Sequence, residues 1–354
     1  MATLNKALSK TEERILRSIK VRSENDPDRP EFPPDRPKFP ATPTFRIHVS
    51  GFEQVFLKDE SHNLTGTHKD RMAWEIVVTY RNFLLAKKSG LVKGPLPHMS
   101  VISSGSTAVA IQTQLVRYKL PYLKVLLDVH IDQQIVDSLE SIGCEIFQTD
   151  LSRAPLNWQE ILVLTHNPKG FDITSAEALD PTTRFYDWLS YEIINQSPEF
   201  CFIPFGTGNL YENILNTNKR EVSTEIHDPR FSGDVRRLRL CSFIGATVNN
   251  RFSLASKLYS PHLPFVHFDE QWINLYKQSG FCGPFSAVHP IQERYLTQAM
   301  KIALSNNIKA EPSGLGGLAM LLQLAKKISR KAKILVVSTG FTKYPEISNR
   351  FAVR

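Results

Sequence analysis

Lys58-Asp59-Glu60-Ser61-His62-Asn63-Leu64-Thr65-Gly66-Thr67-His68-Lys69-Asp70-Arg71 joins two segments of different period. Ahead of it runs the apolar Val55-Phe56-Leu57, which reads as a strand over Gln54–Lys58. Behind it, Met72, Ala73, Ile76, Val77, Tyr80, Phe83 and Leu84 recur at helical spacing, and Gly90 supplies a stop. The Asn, Thr and Gly between them form a turn. That turn presents Lys69 at the start of a helix.

The same alternation continues along the chain. Met99–Ile102 reads as strand, Thr107–Tyr118 as helix, Leu123–Asp128 as strand, Ile131–Ile142 as helix and Glu145–Thr149 as strand. Helices are expected over Asn157–Thr165 and Thr183–Ile194. Strands are expected over Phe200–Phe205, Leu238–Ile244 and Ile334–Val337, and helices over Gln292–Leu304 and Leu315–Lys327. Residues 250–285 give poor signals. Short strands alternating with helices predict an α/β fold with parallel sheets and crossover helices.

Residues 1–45 differ in kind. Thr11–Lys20 can form a short helix capped by Thr11. Pro27, Pro30, Pro33, Pro34, Pro37, Pro40 and Pro43 then exclude regular helix and favour an extended arm. A flexible tail and an arm packed on a partner subunit both fit this composition.

With 354 residues the chain is long enough for two domains, and 42% apolar with 22% charged residues is a globular balance. No apolar run approaches the roughly 20 residues that span a bilayer, and the first 30 residues lack the apolar core of a signal peptide. A cytoplasmic protein without a membrane partner is expected. Cys144, Cys201, Cys241 and Cys282 form no CxxC pair, so neither a zinc site nor a disulfide framework is signalled, and buried free thiols are expected. The net charge of +8 suits anionic small molecules. Arg236-Arg237-Leu238-Arg239 and Lys326-Lys327 lack interleaved aromatics, so no nucleic-acid partner is expected.

In open α/β sheets ligands bind beyond the carboxyl ends of the strands. Gly206-Thr207-Gly208-Asn209-Leu210 follows one strand and opens a helix, where backbone N–H groups and the helix dipole suit a phosphate. It is neither a dinucleotide fingerprint, since Tyr211 stands at the third glycine, nor a P-loop. Ser103-Ser104-Gly105-Ser106-Thr107 follows another strand and suits a carboxylate. It is not a Gly-x-Ser-x-Gly elbow. Lys69 in a first helical turn opposes the dipole, which favours the neutral amine that Schiff-base chemistry needs.

Taken together, these segments resemble the fold-type II pyridoxal-phosphate enzymes, the group of threonine synthase, serine and threonine dehydratases and cysteine synthase. Lys58-Asp59-Glu60 through Asn63-Leu64-Thr65-Gly66-Thr67-His68-Lys69-Asp70-Arg71 is similar to the family's cofactor-lysine motif. Ser103-Ser104-Gly105-Ser106-Thr107-Ala108 is similar to its substrate-carboxylate loop, and Gly206–Leu210 to its cofactor-phosphate loop. Glu311-Pro312-Ser313-Gly314 and Ser338-Thr339-Gly340 with Lys343 resemble segments near the cofactor ring. All five occur in family order, over roughly residues 45–345.

The resemblance implies two three-layer αβα domains with mostly parallel sheets, of the tryptophan synthase β-like kind, and a cofactor in the interdomain cleft. It implies residues 46–67 plus 181–354 as the large cofactor-binding domain and 68–180 as a small mobile domain, after the 1–45 arm. It implies pyridoxal 5'-phosphate as cofactor, bound as a Schiff base on Lys69, which is also the catalytic base. Gly206, Thr207, Gly208, Asn209 and Leu210 would hold the phosphate. Ser104, Gly105, Ser106 and Thr107 would bind the substrate carboxylate, with Ser106 also at the cofactor. Ser338 or Thr339 would face the pyridine nitrogen; side chains alternate along a strand, and motif register favours Thr339. The implied activity is β- or γ-elimination or replacement on a small amino acid, by a lyase or transferase that works as a homodimer.

Within the family, Thr-Gly-x-x-Lys and Ser-Ser-Gly-x-Thr-Ala resemble threonine synthase, while Glu-Pro-Ser-Gly leans toward the dehydratases; a cysteine synthase-like activity stays open. This chain departs from the family pattern at Ser106 (Asn in the family, contacting the ring oxygen), His68 (Phe), Leu64 (Pro) and Asn209 (Gly), and Glu212 puts an acid near the phosphate loop. A non-catalytic binding or regulatory member, an α/β enzyme for nucleotides or sugar phosphates, and an interaction protein working through the arm are the competing readings.

Overall fold

The computed structural model describes residues 40–91, 93–152, 156–174, 185–259 and 270–344. The expected Thr11–Lys20 helix and most of the proline arm lie outside these residues. Two sheets organise the rest. The larger comprises β1 (Thr44–Ile47), β2 (Gln54–Asp59), β7 (Phe200–Pro204), β8 (Ser242–Thr247), β9 (Ala287–Pro290) and β10 (Lys333–Ser338), in the order β1-β2-β10-β7-β8-β9. Only β1 runs antiparallel. The smaller comprises β3 (Met99–Ile102), β4 (Lys124–Asp128), β5 (Glu145–Thr149) and β6 (Phe171–Asp172), all parallel, in the order β5-β4-β3-β6. Mostly parallel sheets in an α/β chain are the expected architecture.

The helices are α1 (Lys69–Lys88), α2 (Ser106–Arg117), α3 (Gln133–Ser141), α4 (Trp158–Leu164), α5 (Asp187–Ile194), α6 (Asn209–Val222), α7 (Val235–Leu240), α8 (Glu270–Gln278), α9 (Glu293–Ser305) and α10 (Gly316–Leu324). The central strand β10 shows why the large sheet is covered on both faces. Ile334 and Val336 pack with Leu296 of α9 and Leu318 of α10. Leu335 and Val337 pack with Leu189 of α5 and Ile214 of α6. A continuous apolar run is what a strand buried on both sides requires.

Several expected elements differ. Leu238–Ile244 is not one strand. Asp234 accepts from the N–H groups of Arg236 and Arg237, which starts α7 and delays β8 to Ser242. Leu315–Lys327 is not one helix, because tight turns at Pro312–Leu315 and Ala325–Lys327 flank α10. Strand β1 begins at Thr44, and α8 and β9 arise in or beside the stretch of poor signal. All four cysteines are buried and unpaired. No helix among the described residues is long and apolar enough to cross a membrane.

Candidate active site

Lys69 is the first residue of α1, and His68 before it lends no side-chain cap. The lysine is half-buried, and its Nζ donates to Tyr186 Oη at 3.1 Å. Burial, with no charged partner contributing, pulls its pKa down to about 8. His68 stacks on Tyr186 with ring centroids 5.4 Å apart. Burial and then the Lys69 charge hold its imidazole well below the ordinary value, so His68 is neutral.

The flanks of Lys69 are held by buried charge. Asp70 Oδ2 accepts from Thr65 N at 3.0 Å and Thr65 Oγ1 at 2.8 Å, closing the turn. Burial pushes its carboxyl up to about 6. Arg71 Nε donates to Glu60 Oε2 at 2.7 Å, and its Nη1 and Nη2 donate to Glu192 of α5 at 2.7 and 3.0 Å. Lys58 completes the cluster by donating to Glu192 and to Thr42 O. Burial would raise the Glu60 carboxyl, but the Arg71 guanidinium overrides it and holds the pKa below the usual range.

The other segments lie where parallel strands end. After β3, Ser103 Oγ accepts from Gly105 N at 3.0 Å and Ala108 N at 3.3 Å. The amides of Ser104, Ser106 and Thr107 donate to no group among the described residues. Ser104 is exposed, Thr107 half-buried and Ser106 buried. After β7, Gly208 takes φ 84°, a conformation glycine adopts without penalty. No amide of residues 206–210 donates to a group among the described residues, which leaves five N–H groups without a partner there at the start of α6. Such a nest suits an anion. Glu212 sits in the next turn, half-buried, and burial pushes its carboxyl up to about 7.

After β10, Ser338 is wholly buried and its Oγ has no hydrogen-bond partner among the described residues. Thr339 is tied by its backbone, its N–H to Gly314 O and its carbonyl to His68 N, each at 3.3 Å. Gly340 then bridges to Thr67, two residues before Lys69. Lys257 links the remaining loops. Its carbonyl oxygen lies 3.0 Å from where a Cβ on Gly206 would stand. Its Nζ donates to Glu311 Oε2 at 2.6 Å and Thr342 Oγ1 at 3.4 Å. The Tyr344 hydroxyl lies directly over Gly105. Contacts therefore run from the lysine turn to the strand end after β10, and through Lys257 and Tyr344 to the loops after β3 and β7.

Sequence reasoning quoted Glu60 and Arg71 without assigning them a role, and it missed Tyr186, Lys257 and Tyr344. Their partners are distant along the chain, and no local pattern marks them.

The family described as pyridoxal-phosphate dependent enzyme matches residues 38–230. No curated protein matches the chain. Among solved structures, diaminopropionate ammonia lyase from Escherichia coli, determined with D-serine, matches with TM-score 0.61 and 14% identity, covering 90% of this chain and 89% of that one. An O-ureido-L-serine synthase matches with TM-score 0.57 and 17% identity, covering 85% and 89%. An O-acetylserine dependent cystathionine β-synthase from Helicobacter pylori matches with TM-score 0.56 and 14% identity, covering 84% and 92%. At these identities the likeness is one of fold. With the family match over more than half of its length and a fold like that of these structures, the chain belongs to the pyridoxal-phosphate dependent enzymes of fold type II.

Proposed function

We propose that this protein is a pyridoxal-phosphate lyase or transferase that performs elimination or replacement at the β or γ carbon of a small amino acid, with Lys69 as the residue that attaches the cofactor. The Lys69 amine carries the reading: it has no counter-ion among the described residues, has a pKa of about 8 and stands beside the strand end at 338–340. An amine that loses its proton near neutral pH can attack a carbonyl and can accept a proton from a substrate carbon. Bound there, pyridoxal phosphate supplies an electron sink for a carbanion at the substrate α-carbon.

The surroundings fit the cofactor. The amides of Gly206, Thr207, Gly208, Asn209 and Leu210, without partners among the described residues, would take its phosphate. The amides at Ser104, Ser106 and Thr107, in the loop with Gly105, would take the substrate carboxylate. Ser338 and Thr339 offer neutral hydroxyls for the pyridine nitrogen. A neutral partner leaves that nitrogen largely unprotonated, which suits chemistry at the β or γ carbon. The unpartnered Ser338 Oγ supports Ser338, against the motif register that favours Thr339. We further propose residues 68–180 as a smaller unit that closes on the rest and excludes water, and a homodimer as the working assembly.

Thr-Gly-x-x-Lys and Ser-Ser-Gly-x-Thr-Ala favour threonine synthase-like chemistry, and Glu-Pro-Ser-Gly favours a dehydratase. Ser106, shorter than the family's asparagine, supports a second reading as a non-catalytic binding protein. One experiment separates them. Purified protein loaded with pyridoxal phosphate is titrated with L-amino acids while visible absorption and release of ammonia and 2-oxo acid are followed. A bound-cofactor band that shifts with amino acids and is lost in Lys69→Ala supports the enzyme. A band that no amino acid perturbs favours the non-catalytic reading, and no band at all overturns both.

A further inference from the structure

We propose that Tyr186 is the positioning residue for the Lys69 amine, a fixed hydrogen-bond acceptor to which the lysine returns whenever it is not joined to the cofactor. The inference rests on Lys69 being the attachment residue. Its starting observation is the 3.1 Å bond from Lys69 Nζ to Tyr186 Oη, the amine's only hydrogen bond among the described residues.

The phenol cannot follow the lysine as it moves. Tyr186 is wholly buried, and its backbone N–H donates to Asn213 Oδ1 on α6 at 3.0 Å. Its ring is stacked on His68. It is thus held by its place at the start of α5, by α6 and by the residue preceding Lys69. The seat is rigid while the lysine stem is flexible.

The direction of the hydrogen bond follows from a third atom. Tyr186 Oη points its proton at Met72 Sδ, 3.6 Å away and three residues along α1 from Lys69. An ammonium group has three donors and no acceptor, so the phenol oxygen accepts from protonated Lys69 and the phenol proton is left for sulfur. Burial pushes the phenol far above its usual range, so it keeps that proton. Protonated Lys69 therefore donates into the seat. The wall itself is uncharged, since His68 is neutral and its Nδ1 meets no partner among the described residues. An uncharged seat orients the amine without holding it as an ammonium ion.

Hydrogen bonds from a charged donor are about twice as strong as those from a neutral one. The phenol oxygen therefore favours protonated Lys69 modestly, against the larger effect of burial. Tyr186→Phe keeps the stacked ring and the packing and removes the oxygen alone. The Lys69 titration midpoint should then fall by roughly half a unit to one unit. Met72→Leu conserves volume and removes the sulfur. The phenol proton can then turn toward the amine nitrogen, which favours the neutral form and also lowers the midpoint.

The test uses full-length protein stripped of cofactor. Lys69 is acylated across a pH series and quantified by peptide mass spectrometry, and the rate of pyridoxal phosphate capture is measured separately. A lower midpoint in both variants, with capture slowed about tenfold in Tyr186→Phe at a pH above both midpoints as pre-positioning is lost, supports the seat. An unchanged midpoint and capture rate in a folded Tyr186→Phe protein overturn it. Covalent capture that persists in Lys69→Ala overturns the attachment role instead, a result to which the acylation midpoint is blind.

Discussion

Arg71 Nε and Glu60 Oε2 meet at 2.7 Å, with both side chains sealed from solvent. Glu60 follows β2 and Arg71 lies in the first turn of α1, so the bond clamps the turn that carries Lys69 from both sides. Glu192 receives the other end of the same guanidinium, which pins this turn to α5. The lysine is thus mobile only beyond its backbone.

Removing one member of this cluster should unfold the turn before it disturbs chemistry. Arg71→Met leaves Glu60 buried without its cation, and the expected loss is about 3–5 kcal/mol. Arg71→Lys should rescue little, because an ammonium cannot serve two carboxylates with a planar fork. Urea midpoints of the two variants check this; a loss below about 1 kcal/mol for Arg71→Met would show that water reaches Glu60.

Gly340 takes φ 83°, and a Cβ there would fall inside contact with Gly66 O. Gly66, at φ 85°, meets Phe341 O in the same way. Gly66 fills the space a side chain on Gly340 would need, and Phe341 fills the space a side chain on Gly66 would need. Gly340→Ala should therefore cost at least about 1–3 kcal/mol from backbone strain alone. It should also weaken cofactor retention, because the Thr67–Gly340 bridge sets the distance between Lys69 and the end of β10. Thermal unfolding with and without pyridoxal phosphate measures both effects, and equal retention by the variant would refute the second.

The strand ends were legible because they place small and hydroxyl-bearing residues where an apolar run stops. Ser103–Thr107, Gly206–Leu210 and Ser338-Thr339-Gly340 all announce themselves that way. The buried charges do not. Arg71 and Glu192 are 121 positions apart, and each looks like a solvated surface residue until the fold joins them. Tyr186 is silent for the same reason, 117 positions from Lys69. Leu238–Ile244 misled because its apolar residues straddle a helix end, and only the Asp234 cap divides them. Strand β6, two residues long, is too short for any period to show.

Ser338 and Thr339 can be told apart by what each loses. The Ser338 hydroxyl is buried and unpartnered among the described residues, so Ser338→Ala removes an unsatisfied polar group. Without cofactor the variant should be as stable as the parent or up to about 1 kcal/mol more stable. If Ser338 faces the pyridine nitrogen, the same change should weaken cofactor binding several-fold and alter the visible band, while Thr339→Val should not. The reverse pattern would assign the role to Thr339.

The pH dependence of the cofactor-free protein should show a minimum in stability between about pH 7 and 8. Glu75 and Glu212 are each raised to about 7, and Asp70 to about 6, all chiefly by burial. Between the unfolded carboxylate range and pH 7 the native state holds carboxyl protons the unfolded chain has released, so stability falls as pH rises, against a smaller rise from His68, whose lowered pKa leaves the extra proton on the unfolded chain below about pH 6.5. Lys69 has the opposite sign. Its folded pKa of about 8 lies below the usual 10.5, so above pH 8 the unfolded chain holds the extra proton and stability climbs. The scan stops at pH 9, because burial pushes the thiols up and they oppose the rise beyond it. Urea midpoints from pH 5 to 9 measure the curve. Lys69→Met should flatten its alkaline limb and leave the acidic limb intact. A monotonic profile in the parent would mean that these groups are hydrated in solution, and the uncharged amine on which the proposed chemistry depends would lose its physical basis.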